Sequence, residues 1–359
     1  MKKILFSAYS LDIGGIEIAL ITLLNKLQEL DYDITLVLEK KQGMFLDKLD
    51  SKIKVIEYTP SNNNNIFIRK IRNMCKRIYF TLKHKNKYDF SASFATYSLA
   101  GSFVARTASK NSALWVHTNY LAYFNNEVNK VENFFNGLNY NMFKKIIFVS
   151  RNAKNDFLGI FPEVKDKAEV CNNLIDYKKI QKMASEKIEI EKDNNSTTFL
   201  NVGRHEELAK KITRLIDASK MLKKDGFKFK VLLVGDGDDT QLYQSLVEKE
   251  NLQDNIIFLG RKQNPYPYFN ISDCVILTSD YEGYPVVFLE SMVLNKPIIT
   301  TKVSDYEDIE GKNGYTAEKT VEDIYEKMKI FIEKGFEIKE KFDAERFNQD
   351  IINKLEKIF

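Results

Sequence analysis

Short apolar runs alternate with helix-patterned stretches along this chain, and the alternation occurs twice. Runs at 3–8, 33–38, 53–58, 90–94, 113–117 and 145–150 have helical spacing between most of them. The pattern restarts at Thr197, with runs at 199–203, 230–235, 256–259, 274–278 and 297–300. Apolar strands separated by helices pack as parallel, doubly wound sheets covered on both faces. With 359 residues the chain exceeds what one hydrophobic core serves, so two such α/β domains are expected. Residues 176–196, rich in Lys, Glu and Asn, read as a connecting helix and loop, with a hinge near 173–177. The polar run 61–65 reads as a loop.

Composition removes several function classes. Cys75, Cys171 and Cys274 are far apart with no CxxC pair, which excludes a zinc ribbon or disulfide framework and predicts inert core residues in a reducing compartment. Asp12 and Glu17 interrupt the first apolar run too early for a signal peptide, and no stretch approaches a membrane span. A cytoplasmic, non-spanning protein is expected. A net charge of +4 is too mild to argue for nucleic acid. Charge is nonetheless uneven: residues 69–87 hold eight Lys or Arg and no acid, interleaved with Ile71, Met74, Ile78, Tyr79 and Leu82 at helical spacing. Such a helix suits the inner face of the cell membrane through Arg69, Lys70, Arg72, Lys76, Arg77 and Lys83. The alternative is a solvated basic face with its apolar stripe in the core.

Ligands of open parallel sheets bind beyond the carboxyl ends of the strands, and the polar residues of interest fall there. Gly14 and Gly15 follow the first run, where backbone N–H groups meet a phosphate or sugar, or where glycines merely turn the chain. The GxGxxG spacing of dinucleotide enzymes is absent. Arg204 follows a strand, and Lys210 and Lys211 lie near a helix start, so they could neutralise a diphosphate without a metal. His117 ends the run LWVH, with Thr118, Asn119 and Tyr120 beside it. Alone it reads more readily as a structural histidine, and its polar neighbours add hydrogen-bonding groups for a polyol. The segment GDGDD at 235–239 contains a DxD pattern but reads as a turn and helix cap rather than a metal site.

The stretch DYEGYPVVFLESMVLNKP at 280–297 sets Glu282 on a loop and Glu290 about a turn inside the following helix. Gly283 lets backbone approach a ligand, and Pro285 suits a first helical position. The first-turn N–H groups form an anion site. That layout fits a molecule with hydroxyls at both ends and phosphates between them.

These segments, in their order and spacing, resemble a retaining family 4 glycosyltransferase of the GT-B fold: FVS at 148–150, NVGR at 201–204, LLVGDG at 232–237, IIFLGR at 256–261 and EGYPVVFLESMVLNKPIITT at 282–301. The resemblance implies two Rossmann-like domains facing an interdomain cleft. One, 1–174, would be rejoined by a C-terminal helix at about 342–359, and the other, 175–341, would hold a nucleotide sugar, a UDP-sugar in the expected case. It implies that Glu290 holds the ribose, Glu282 the transferred sugar, and Arg204 with Lys210 or Lys211 the diphosphate. Backbone around Gly283, Tyr284, Pro285, Val286 and Val287 would serve sugar and phosphates. Arg261 would border the base, Gly14 and Gly15 would close on the donor, and His117 would touch the sugar near its anomeric carbon. Neither metal nor cofactor is implied, and the acceptor would be a saccharide or lipid-linked glycan of a capsule, exopolysaccharide or cell-surface pathway. The sequence departs from the family in having Ile212, not Gly, after Lys211, and Tyr284 where Phe is frequent. A catalytically silent sugar-nucleotide binder or partner of another transferase, and an epimerase or phosphorylase on the same scaffold, are the alternatives.

Overall fold

A computed structural model describes residues 1–12 and 14–359. The chain divides into two compact units, Met1–Leu174 with Asn348–Phe359, and Ile175–Phe347.

In the first unit the elements run β1 (Lys3–Ala8), α1 (Gly15–Glu29), β2 (Asp33–Leu38), β3 (Lys54–Glu57), α2 (Ile66–His84), β4 (Phe90–Ser93), α3 (Leu99–Ala108), β5 (Ser112–Val116), α4 (Tyr120–Tyr123), α5 (Val128–Leu138), β6 (Lys145–Phe148), α6 (Arg151–Ile160) and β7 (Ala168–Val170). All pairings are parallel, in the order β3-β2-β1-β4-β5-β6-β7, so the direction of winding reverses between β1 and β4. The sheet is buried because its strands carry apolar or small residues on both faces, Ile4, Leu5 and Phe6 of β1 being fully enclosed. At the β6 end Phe135, Phe148, Phe157 and Phe161 form an aromatic core. Each such side chain contributes about 1.5–3 kcal/mol by leaving water. Under α3 the packing is tighter. A Cβ on Gly101 would lie 2.8 Å from Ser98 Oγ, 3.1 Å from Ser7 Oγ and 3.2 Å from Ser93 Oγ, so only glycine lets this helix approach β1 and β4 so closely.

The second unit runs α7 (Tyr177–Ala184), β8 (Thr197–Val202), α8 (Glu207–Lys210), α9 (Ile212–Lys224), β9 (Phe229–Val234), α10 (Thr240–Lys249), β10 (Ile256–Gly260), α11 (Tyr266–Ile271), β11 (Cys274–Leu277), α12 (Val286–Val293), β12 (Ile298–Thr301), β13 (Gly314–Ala317) and α13 (Val321–Lys334); the last helix, α14 (Ala344–Ile358), belongs to the first unit from Asn348 on. Its parallel sheet has the order β10-β9-β8-β11-β12-β13, reversing between β8 and β11. Its core gathers Phe199, Leu215, Val231, Cys274, Ile276 and Phe331.

Several expectations need correction. Strands β7 and β13 were not evident in the sequence: the first reads AEV and the second GYTA, with too few apolar residues to register. Helix α7 is less a connector than a packed part of the second unit, its last carbonyls accepting from Asn264 Nδ2 (2.8 Å, on Met183) and Asn270 Nδ2 (2.6 Å, on Ala184). Cys75 is exposed on α2, whereas Cys171 and Cys274 are buried as expected. Helix α2 also keeps its apolar stripe out of the core; of its residues only Phe80 and His84 are buried. Among the described residues no helix is long and apolar enough to cross a membrane.

Candidate functional site

The reversal between β8 and β11 is where a doubly wound sheet opens a crevice beyond its strand ends. Two loops meet there, and hydrogen bonds fix both. After β8 the chain crosses Gly203, Arg204 and His205, held to the β9 end by Gly203 N–Val234 O (3.1 Å) and His205 N–Asp236 O (3.1 Å). Gly235 must be glycine for this, because a Cβ there would lie 1.8 Å from the Gly203 carbonyl oxygen. After β11 the Asp280 N–H bonds Ala209 O (2.8 Å), and Thr278 Oγ1 donates to the carbonyls of both Lys210 and Lys211 (3.0 Å each).

The lysines therefore sit at a junction rather than inside one helix. Lys210 ends α8, and Lys211, at φ +48°, is the left-handed residue between α8 and α9. A non-glycine residue in that region is uncommon, and such outliers gather where structure serves function. The two lysines take different partners. Lys210 Nζ donates to Glu282 Oε1 at 2.6 Å, the same oxygen that accepts from Ser279 Oγ at 2.7 Å. Lys211 Nζ lies 3.7 Å from Asp280 Oδ2 and 4.0 Å from Glu207 Oε1. Asp280 is shared, since Arg214 Nη1 donates to its Oδ1 at 2.6 Å. Arg204 is the outlying cation, mostly exposed, 3.6 Å from Glu206 Oε2.

Helix α12 begins at Val286; Pro285 is its N-cap residue rather than its first helical residue. No side chain caps this end, which leaves the positive pole of the helix without a side-chain acceptor. The preceding loop is held by Ser304 Oγ donating to Gly283 O and by Tyr284 OH donating to Asp308 Oδ2 (3.3 Å). Glu290, on the fifth residue of α12, is buried and accepts from Tyr266 OH at 3.1 Å. Burial pushes its carboxyl up to about 7, against the opposing pull of the Tyr266 hydrogen bond. Burial, then the neighbouring Glu290, raises the Tyr266 phenol in turn.

The sequence candidates in this unit thus separate into a linked set and outliers. Lys210, Lys211 and Glu282 join one hydrogen-bonded and ionic group through Thr278, Ser279 and Asp280, whereas Glu290 belongs to a separate pair with Tyr266. Arg261 follows the β10 end, where its charge helps hold Asp236 below the ordinary carboxylate range, behind the larger effects of Thr240 and the Gly237 N–H. The Asp236 bond set makes the expected turn, whereas the expected cap is one of position only: Asp239 is the N-cap residue of α10, but its carboxylate accepts from Glu207 N (2.7 Å) instead of from the helix N–H groups. Arg214, Ser279 and Tyr266 were missed by sequence reasoning. Arg214 sits one turn beyond Lys210, and Tyr266 lies in the aromatic run YPYF, where only packing reveals its hydroxyl.

In the first unit Gly14 is the extended N-cap of α1, again without a side-chain cap, and Gly15 is the first helical residue. His117 follows β5, its ring 4.3 Å from that of Phe94, with Nε2 buried and lacking a hydrogen-bond partner. Burial pushes its imidazole down to about 3, more than a backbone hydrogen bond at Phe94 raises it, so it is neutral at physiological pH.

Comparison with known proteins gives these features a setting. Residues 182–349 match the family model described as glycosyl transferases group 1. The uncharacterized glycosyltransferase MJ1059 of Methanocaldococcus jannaschii is 31% identical over 159 residues, 44% of this chain and 39% of that protein. The N-acetylgalactosamine-N,N'-diacetylbacillosaminyl-diphospho-undecaprenol 4-alpha-N-acetylgalactosaminyltransferase of Campylobacter jejuni is 26% identical over 312 residues, 84% of this chain and 81% of its own. Of the solved structures, Anabaena HepE in complex with UDP and glucose has a TM-score of 0.76 at 18% identity, over 99% of this chain and 100% of that one. At that identity the likeness is one of fold, two Rossmann-like parallel-sheet domains of the GT-B class.

Proposed function

We propose that this chain, which carries a group 1 glycosyl transferase domain at residues 182–349, moves a sugar from a nucleoside diphosphate donor to a hydroxyl of a saccharide or lipid-linked glycan, with retention at the anomeric carbon. The donor is a UDP-sugar, and the product belongs to a capsule, exopolysaccharide or other cell-surface glycan. The observation that carries this reading is the linked group at the β8/β11 reversal, where Lys210 and Glu282 are already paired beside the uncapped start of α12.

In this reading the α12 N–H groups of Val286 and Val287 and the cations Arg204, Lys210 and Lys211 take the diphosphate. Charge growing on the leaving oxygen meets fixed donors, and such preorganised electrostatics are the largest single source of rate enhancement in many enzymes. Glu282 accepts from the transferred sugar; Lys210 and Ser279 both use Oε1, which fixes how the carboxylate presents Oε2. Glu290 accepts from the ribose. The bond from the anomeric carbon to the diphosphate oxygen breaks while the acceptor oxygen bonds on the same face. The acceptor proton passes to the departing phosphate oxygen, leaving UDP. No carboxylate nucleophile and no metal enter. The resemblance gives His117 to the sugar, a role open only to its neutral, unpartnered Nε2 once ligand binding uncovers it, and gives the backbone N–H groups of Gly14 and Gly15 to the donor.

A thermal-shift series with UDP-, GDP- and ADP-sugars tests the donor, since a ligand at 100 times its dissociation constant stabilises by roughly 2.7 kcal/mol. The expected result is stabilisation by UDP-sugars that persists in chelator and is lost in Glu290→Ala. No shift with any nucleotide would sink the donor assignment. A shift untouched by Glu290→Ala would remove the ribose role, and an inverted anomer in the product spectrum would remove retention.

A further inference from the structure

Helix α2 presents an apolar face to solvent. Phe67, Ile71, Met74, Ile78 and Leu82 follow one another at steps of four, three, four and four, which places them on one stripe. All are more than half exposed, Phe67 and Leu82 at 78%. The helix is anchored to its unit through a different face: Phe80 packs on Tyr58 (5.2 Å) and on Phe103 (6.1 Å), Asn73 Oδ1 accepts from Ser61 N (2.6 Å), and Arg77 lies over Phe103 (5.1 Å). Monomeric proteins rarely leave so continuous a stripe uncovered without using it.

Charge decides what covers it. By helical geometry Lys70 borders the stripe on one side and Arg72 and Lys83 lie beyond it on the other, while Arg77 over Phe103 and Lys76 on Thr59 O turn toward the unit, and no acid occurs from 58 to 88. A second copy would bring two such cationic borders together with no carboxylate between them, which disfavours self-pairing. An anionic lipid surface meets both demands at once. Apolar side chains enter the acyl boundary while lysine and arginine stems reach outward to phosphates.

We infer that α2 is an in-plane anchor that docks this protein on anionic phospholipid, with Phe67, Ile71, Met74, Ile78 and Leu82 immersed and the flanking cations on the headgroups. Asn65 caps the helix, its Oδ1 accepting from Phe67 N and Ile68 N, so the immersed end starts at the β3 carboxyl edge. The loops beyond the strand ends of the first unit then lie alongside the lipid surface at the Phe67 end of the helix. Docking stands apart from the sugar-transfer reading; only its purpose, bringing a lipid-linked acceptor to those loops, rests on it.

Cys75 supplies the probe. It is the exposed cysteine of the three and lies on the border of the stripe, so an environment-sensitive thiol dye reports there while buried Cys171 and Cys274 stay unlabelled. Vesicles of equal parts phosphatidylglycerol and phosphatidylcholine should blue-shift the dye and sediment the unlabelled protein. Pure phosphatidylcholine should bind at least about tenfold more weakly, as should the mixed vesicles at ~1 M salt. Ile71→Asp with Ile78→Asp, or Lys70→Glu with Arg72→Glu, should weaken binding by about tenfold or more with the melting temperature unchanged, because these side chains are exposed. Equal binding to neutral and anionic vesicles, an unmoved dye, or a lipid-independent dimer broken by Ile71→Asp would each overturn the inference. Loss of vesicle binding with UDP stabilisation intact would separate its failure from that of the donor reading.

Discussion

The two units use one topology to build different strand ends. At its reversal between β8 and β11, the second unit interlocks Lys210, Lys211 and Arg214 with Glu207, Asp280 and Glu282. At the reversal between β1 and β4, the first unit packs hydroxyls. Ser7 Oγ donates to Ala92 O and Gly101 O, Ser98 Oγ donates to Glu39 Oε1, and farther along the same sheet, after β5, His117 stays neutral. Burial raises the Glu39 carboxyl despite the Ser98 bond. The contrast teaches that one site is set by charge and the other by close approach, so the two should fail for different reasons.

The largest expected effect is on the charged side. Lys210→Ala should lower the transfer rate by about 10²–10³-fold, as losing one preorganised donor does. Glu282→Ala should cost a comparable factor, and the double variant should cost clearly less than the product, because each single change strands the other partner. Steady-state kinetics on the three variants measure this. If Lys211→Ala carries the loss while Lys210→Ala does not, the phosphate contact belongs to Lys211.

Next in size is a pH effect at Glu290. Its folded carboxyl keeps a proton up to about 7, whereas the ordinary value is 4.5. The folded state therefore binds more protons in that window, and stability present below about 4.5 is lost as pH rises through about 7. The loss should reach about 3 kcal/mol. Glu290→Gln should flatten it, which melting curves at pH 5 and pH 8 would reveal; an unchanged slope would mean that this carboxyl is better solvated than its burial implies.

On the close-packed side, Gly101→Leu should destabilise the first unit by about 1–3 kcal/mol by overpacking, without altering nucleotide binding. Denaturant unfolding with and without UDP separates the two. The smallest effect is expected for Thr278→Val, which keeps the shape but removes the hydroxyl that binds the Lys210 and Lys211 carbonyls. A loss of about 1 kcal/mol is expected, with weaker donor affinity. Stability lost without any change in affinity would make that junction purely structural.

Strands with continuous apolar runs were legible to the residue, as β1 and β2 show, since burial on both faces demands such runs. The edge strands β7 and β13 escaped because an edge needs less cover: Glu169 of β7 meets Lys145 at 2.9 Å, and β13 opens on glycine. In the site, residue types at strand ends were readable and their partners were not. Nothing in KK at 210–211 says that a left-handed residue splits the helix there, because that conformation is held by Thr278, far away in sequence.

The sequence by itself determined the two parallel sheets, the places where their strand ends offer cations, carboxylates and glycines, and the basic apolar helix. Those follow from local patterns of period two and 3.6 and from turn chemistry. Tertiary structure alone decided that Lys210 rather than Lys211 meets Glu282, that the Tyr266 hydroxyl donates to a buried Glu290, and that the stripe of α2 faces outward. Each of these depends on which distant side chain or solvent arrives beside a residue, and local periodicity carries no information about that.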